Sequence, residues 1–144
     1  MKKSFRCDCP ITSALDVLGD KWTLVIVKQM LIDGKKTFKD FIESEEAIAT
    51  NILTSRLKSL EDNGILKRVN LPSNKKSKHY NLTEKGLGLT PVILEMAIWS
   101  DGNLRDLHPD LSTENPIEYI RLNKDSFVNI LQERYKERIG QTKG

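Results

Sequence analysis

Hydrophobic positions recur with a helical period along most of this chain and with a strand-like pattern in one short region. From Pro10 to Leu18, Ile11, Ala14, Leu15 and Leu18 fall at helical spacing behind a proline suited to a first helical position, and Gly19 ends the run. Asp20 is placed to cap a second helix, Lys21–Ile32, which is apolar on most sides through Trp22, Leu24, Val25, Ile26, Val27, Met30 and Leu31. Such a helix is either central to the core or shared with a partner chain. Beyond Gly34, Thr37–Glu43 forms a short helix candidate. Thr37 and Asp40 have capping-box spacing, and Phe38, Phe41 and Ile42 supply its apolar contacts.

The stretch Ala47–Gly64 predicts an amphipathic helix with an unusual outer face. Leu53, Leu57 and Leu60 form its apolar stripe, with Ile52 at the edge. Winding the segment as a helix gathers Thr50, Asn51, Thr54, Ser55 and Lys58 on the opposite side. Solvated helix faces usually mix Lys with Glu. Short hydrogen-bonding side chains plus one cation are instead the inventory that approaches base edges and phosphates. With the polar run Glu43–Glu46 as the turn between them, the short helix and this one describe a helix-turn-helix, the second helix being the DNA reader.

Ile65–Leu71 then reads as a strand and Lys78–Leu82 as its return, joined by a turn over Pro72–Ser77. A further helix runs from Thr83 to about Ser100, with Pro91 either kinking it or marking its true start. Asp101–Leu111 looks irregular. Asn115 then caps a helix with Pro116 at its first position, and a last helix over Asp125–Ile139 aligns Phe127, Ile130, Leu131 and Tyr135. The expected fold is mainly α with a small β-hairpin (α+β), a winged helix-turn-helix.

Composition changes this picture little. The 144 residues, 38% hydrophobic and 30% charged, fit an ordinary globular domain. The net charge of +3 barely argues for a polyanionic partner, but its distribution does: Lys67, Arg68, Lys75, Lys76 and Lys78 lie between Ile65 and His79 with no acidic residue among them. A plain solvated loop would not explain that bias directly after a reading helix. A wing gripping phosphates with Lys75, Lys76 and Lys78 does. No apolar run reaches the ~20 residues of a membrane helix, and the start, MKKSFRCDCP, lacks the apolar core of a signal peptide. A cytoplasmic protein without membrane attachment is the expectation.

Other chemistries find no support. Cys7, Cys9, His79 and His108 match no usual zinc-ligand spacing, and no nucleophile–base constellation or Gly-rich phosphate loop is present. Neither a metal nor a cofactor nor an enzyme is expected.

The ordered motifs CPITSALDVLGDKWTLVIV, FKDF, IATNILTSRLKSLEDNGIL, KHYNLTEKG and PVILEMAIW resemble the HxlR-type family of bacterial winged helix-turn-helix transcriptional regulators. The resemblance spans about Cys9 to Ser100 and implies a homodimer on double-stranded DNA, paired through the first helix and the helix after the wing. It divides the chain into an arm over residues 1–9, a winged helix-turn-helix domain with dimerisation helices over 10–107, and a C-terminal helical extension over 108–144. Ala49 stands where many members carry a capping Ser, so either Thr50 takes over the cap or the helix begins later. Lys39 replaces another common Ser, leaving Thr37 as the cap of the short helix. Ser112–Gly144 extends past the usual family end and reads as extra dimer or domain packing.

Two residues need separate treatment. Arg56 falls within the apolar stripe by helical angle, and is expected to pack structurally against a carboxylate such as Glu61 or Asp62, with contact to a DNA phosphate as the alternative. Cys9 precedes Pro10 at a helix N-terminus, where the dipole favours the thiolate; Arg6 and Lys3 would add to this and Asp8 would oppose it. Some relatives with a cysteine here resemble thiol-based sensors of oxidants or electrophiles, whereas the plain alternative is a small buried hydrophobe. A Cys7–Cys9 bridge would close a strained ring, leaving an intersubunit disulfide as the oxidised form. Rival functions are a winged-helix protein-interaction module and a regulator answering an unidentified small-molecule effector between the second helix and Gly86–Ser100.

Overall fold

The computed structural model describes residues 4–71, 74–113 and 115–141. The chain divides into two compact units, one ending at Leu87 and the other beginning at Gly88.

The first unit opens with α1 (Pro10–Leu18), whose limits are those expected, and α2 (Thr23–Leu31). The N-cap residue of α2 is Trp22, without a side-chain cap, so the helix starts at Thr23 rather than Lys21; Asp20 stands two residues further out and accepts the N–H groups of Trp22 and Thr23 at 2.8 and 2.9 Å. The turn that Asp20 closes over Lys21 and Trp22 stands ahead of the helix, so those two residues lie outside it. Ile26, Val27, Met30 and Leu31 are buried, so α2 is central to this unit. Gly34, at φ 72°, lets the chain turn away.

In α3 (Phe38–Ile42), the expected capping box is complete: Asp40 N–H donates to the Thr37 hydroxyl, and Thr37 N–H donates to the Asp40 carboxylate. α4 (Thr50–Asp62) is shorter than the predicted Ala47–Gly64. Ala47 adopts a left-handed backbone (φ 55°) and Ala49 is extended, so helical winding cannot begin before Thr50. The turn ahead of α4 is held from α2. Gln29, fully buried, donates to Ser44 Oγ (2.9 Å) and Glu46 Oε2 (3.1 Å), and Lys28 donates to Glu46 (2.8 Å). At the far end Ile65 N–H returns to Leu60 O and Gly64 N–H to Glu61 O, a Schellman closure with Gly64 at φ 73°.

β1 (Leu66–Leu71) and β2 (Asn74–Leu82) pair antiparallel from Leu66 opposite Leu82 to Asn70 opposite Lys78, after which the register slips and Leu71 faces Asn74. The return strand therefore begins at Asn74 rather than Lys78, and Asn74–Ser77 belong to it rather than to a turn. The slip accommodates their turn-like composition within the ladder. Pro72 and Ser73 lie outside the described residues. Thr37 bridges His79, and Tyr80 N–H donates to Lys36 O at 2.8 Å, so the segment entering α3 flanks the hairpin. Phe41 packs on Tyr80, ring centroids 6.5 Å apart.

The predicted helix from Thr83 to Ser100 is two helices, α5 (Glu84–Leu87) and α6 (Thr90–Asn103), because Pro91 serves as a helix start rather than an interior kink. α6 also continues into the segment expected to be irregular. In the second unit, α6 packs with α7 (Ile117–Leu122) and α8 (Lys124–Gln141). Pro116 precedes α7 as an extended N-cap residue, so Asn115 is not the cap. Ile93, Leu94, Ile120, Phe127, Leu131 and Tyr135 are buried. Asp101 holds Arg105 and Arg121 (2.6 and 3.2 Å), and Lys124 pairs with Glu95, fastening the extension to α6. No described helix is long and apolar enough to cross a membrane.

Candidate nucleic-acid interface

The two sides of α4 are sharply different. Leu53, Leu57 and Leu60 are buried, while Thr50, Asn51, Thr54, Ser55 and Lys58 are all exposed together. The arrangement follows from the 3.6-residue winding and from the buried Gln29–Ser44 contact, which fixes how the chain enters the helix. Ala49 itself occupies the N-cap with no side-chain hydrogen bond, so the cap does not pass to Thr50; the helix begins at Thr50, later than Ala47. The Thr54 hydroxyl donates to Thr50 O at 2.9 Å. Thr54 therefore presents lone pairs and a methyl group outward, suited to a donor or a thymine methyl rather than to an acceptor. Among the described residues Asn51, Ser55 and Lys58 have no side-chain hydrogen bond or ion pair, which leaves them available to an external partner.

Beside this face lies a cleft of ≈ 730 Å³ between α3, α4 and the hairpin. Leu57 and Tyr80 line it, together with the cations Lys39, Lys58, Arg68 and Lys78. Glu61 is the one acid among the described residues that line it. Four cations, from α3, α4, β1 and β2, make a positively charged concavity next to the polar face of α4. That is the place where a DNA backbone passes if a helix enters the major groove and a wing the neighbouring minor groove.

The sequence names Lys58 and Lys78 for such a surface and counts Arg68 in the basic stretch of the hairpin, but gives no sign of Lys39. Arg68 sits opposite Tyr80, and Asn70 opposite Lys78, on the hairpin face that begins with the buried pair Leu66 and Leu82. Strand alternation from Leu66 therefore carries the signal that places Arg68 toward α4. Lys75 and Lys76 fall in β2 within the slipped register, and their side chains lie outside the described ones.

Arg56 turns inward as expected, but toward a different carboxylate. Its Nε lies 3.4 Å from Asp20 Oδ1, whereas Glu61 pairs with Arg68. Helical angle predicted the direction; the partner comes from the loop before α2, which is remote in sequence.

Cys9 is the N-cap residue of α1 and is exposed. Its thiol is held below the ordinary cysteine range by the Thr12 N–H, then the Thr12 hydroxyl and the Ile11 N–H, which together outweigh burial. Exposure removes the reading of Cys9 as a buried hydrophobe within this chain. Arg6 does not serve as its counter-ion, because the guanidinium pairs with Asp16 at 2.5 Å. Lys3 lies outside the described residues. Among the described residues no group of His, Cys, Asp or Glu is arranged to hold a metal.

The sequence model of a family described as HxlR-like helix-turn-helix matches residues 17–108. The HTH-type transcriptional regulator YodB of Bacillus subtilis (strain 168) is 42% identical over 94 residues, 65% of this chain and 83% of YodB. Reduced YodB has a TM-score of 0.56 at 37% identity, over 73% of this chain and 100% of that chain. YodB is also known in diamide-treated and quinone-bound forms, with TM-scores of 0.53 and 0.55 at 40% and 38% identity, over 67% and 66% of this chain and 95% and 99% of theirs. The redox regulator HypR in its oxidised form has a TM-score of 0.58 at 38% identity, over 66% of this chain and 97% of HypR. The crystal structure of PA1607 has a TM-score of 0.67 at 32% identity, over 77% of this chain and 75% of that one.

Proposed function

This chain belongs to the HxlR-like helix-turn-helix family, and from that premise we propose that it binds a pseudopalindromic operator as a homodimer and responds to thiol chemistry at Cys9. As a member it is a DNA-binding transcriptional regulator. The observation that carries the reading of its site is the exposed face of α4, where Thr50, Asn51, Thr54, Ser55 and Lys58 stand opposite three buried leucines.

In this reading α4 enters the major groove. Asn51 pairs with a base edge, Thr54 meets a thymine methyl or a donor, and Lys58 grips phosphate. Lys75, Lys76 and Lys78 hold phosphates about the minor groove. Two such helices reach successive major grooves, roughly one turn apart, when two copies pair. Support for pairing comes from apolar side chains left in solvent. Ile11 and Leu15 on α1 are 73% and 55% exposed, and on α6 Val92, Met96 and Trp99 form a stripe at helical spacing with Trp99 60% exposed.

Control through Cys9 is supported by its exposed, acidified thiol and by the redox chemistry named for HypR and for treated YodB. A duplex selected by the protein from a random-sequence pool tests the DNA site. Lys78→Ala should weaken all sequences alike and make binding less salt-dependent by about one phosphate contact, whereas Asn51→Ala should also relax sequence preference. An Asn51→Ala protein with the wild-type preference would remove Asn51 from the base-reading set.

A further inference from the structure

Arg56 is the cation of α4 that does not join its outward face. Its Nε is buried and no hydrogen bond reaches it; the carboxylate beside it is Asp20, at 3.4 Å. That carboxylate is already engaged. Oδ1 accepts the Trp22 and Thr23 N–H groups, and Oδ2 accepts the Thr23 hydroxyl. One carboxylate thus closes the N-terminus of α2 and faces the inward cation of α4. Burial alone would raise the Asp20 carboxyl, but the bonds from Thr23 and Trp22 and the Arg56 charge outweigh it and keep Asp20 ionised.

Asp20 is also only two residues beyond the end of α1. Gly19 N–H returns to Leu15 O at 2.8 Å, and a Cβ at Gly19 would stand 2.3 Å from that oxygen. The turn is closed too tightly for a side chain, so α1 is joined to Asp20 by a short, constrained connection. α1 itself contains no buried residue. On α4, Arg56 directly follows Ser55 and lies close to Thr54 and Lys58, so a rotation of the helix that moved Arg56 would carry those three outward-facing residues with it.

We propose that Asp20 is a positioning residue for DNA reading: it fixes the rotation of α4 by holding Arg56, and it is the point at which a displacement of α1 reaches α4. The proposal rests on α4 being the DNA-contacting helix. Binding to the duplex selected by the wild-type protein is measured by fluorescence anisotropy across salt concentrations, together with melting temperature, for Asp20→Asn, Arg56→Gln, Arg56→Lys and the double variant Asp20→Asn/Arg56→Gln. Asn at position 20 keeps an acceptor for the cap N–H groups and removes the charge. Each of Asp20→Asn and Arg56→Gln should weaken binding about tenfold, and the double variant should be no weaker than either, as for a contacting pair. The salt slope should not change, and Arg56→Lys should recover part of the loss.

Additive losses overturn the proposal. So does a salt slope about one unit shallower in Arg56→Gln alone, which would make Arg56 a phosphate contact. A lowered melting temperature with wild-type affinity in Asp20→Asn also overturns it, reducing Asp20 to a cap. Asn51→Ala measured in parallel separates the two readings. Relaxed preference there with no effect of Asp20→Asn overturns this proposal alone, while wild-type preference in Asn51→Ala removes the support from the reading of α4.

Discussion

Arg68 Nε of β1 donates to Glu61 Oε2 of α4 across 3.0 Å, fastening the hairpin to the helix it follows. Both side chains are partly exposed, so the pair contributes under about 1 kcal/mol to stability. Its larger consequence is electrostatic. Glu61 offsets one of the four cations of the cleft and occupies the Arg68 guanidinium. Glu61→Gln should therefore tighten DNA binding several-fold at low salt and steepen the salt dependence by about one phosphate contact. Titrations at several salt concentrations check this; weaker binding at every salt would mean that the ion pair acts chiefly by orienting the hairpin.

What the sequence disclosed about this surface was its local part. Leu53, Leu57 and Leu60 define the buried side of α4 by spacing alone, and Thr37 with Asp40 announces a cap formed within one helical turn. Contacts between distant segments were not legible. The start of α4 depends on Ala47 turning left-handed in a loop gripped by Gln29 and Lys28 of α2. Helical angle turns Arg56 inward, yet no periodicity nominates Asp20. Alternation from Leu66 gives the face of Arg68, but its neighbour Tyr80 follows from a register that only the folded hairpin fixes.

Gly86 offers a test of how the base of the hairpin meets α5. A Cβ there would lie 2.2 Å from Ile65 O and 3.1 Å from a Leu82 methyl carbon. Gly→Ala in a helix ordinarily stabilises by up to about 1 kcal/mol. Here Ile65 O also accepts the Thr83 N–H at 3.0 Å, so the backbone cannot withdraw freely. Gly86→Ala should lower the melting temperature, opposite in sign to its helix propensity. A stabilised variant would mean that the approach of α5 to Ile65 relaxes at little cost.

Acid should loosen this unit through three carboxylates. Burial would raise Asp20, Asp40 and Glu46, but each lies below its ordinary value. Thr23 and Trp22 act on Asp20, the Lys36 and Thr37 N–H groups on Asp40, and Lys28 with Gln29 on Glu46. A group depressed on folding stabilises fully above its unfolded pKa, about 4, and loses that contribution as pH falls through its folded value. Urea midpoints should therefore be flat from neutrality to about pH 5 and fall below about pH 4. Asp40→Asn should be less stable than wild type at pH 7, and the two should converge in acid. Parallel curves down to the lowest pH would show that Asp40 adds no linked stability.

The Cys9 thiol draws its acidity from Thr12 and Ile11 rather than from Arg6, which is engaged by Asp16. Thr12→Val removes the hydroxyl bond and keeps the backbone one, so it should raise the midpoint of the pH profile for iodoacetamide alkylation of Cys9 without abolishing reaction. Cys9→Ser should bind DNA normally under reducing conditions and should no longer be released by diamide or quinone; release that persisted would exclude Cys9 as the switch. The two reagents also distinguish mechanisms. Diamide joins two thiols into a disulfide, taking up two electrons and two protons, and should give a linked dimer on a non-reducing gel. A quinone adds to a single sulfur and links no chains. Release by both would place the trigger in substitution at the N-cap of α1, whereas release by diamide alone would make the covalent link between subunits the necessary event.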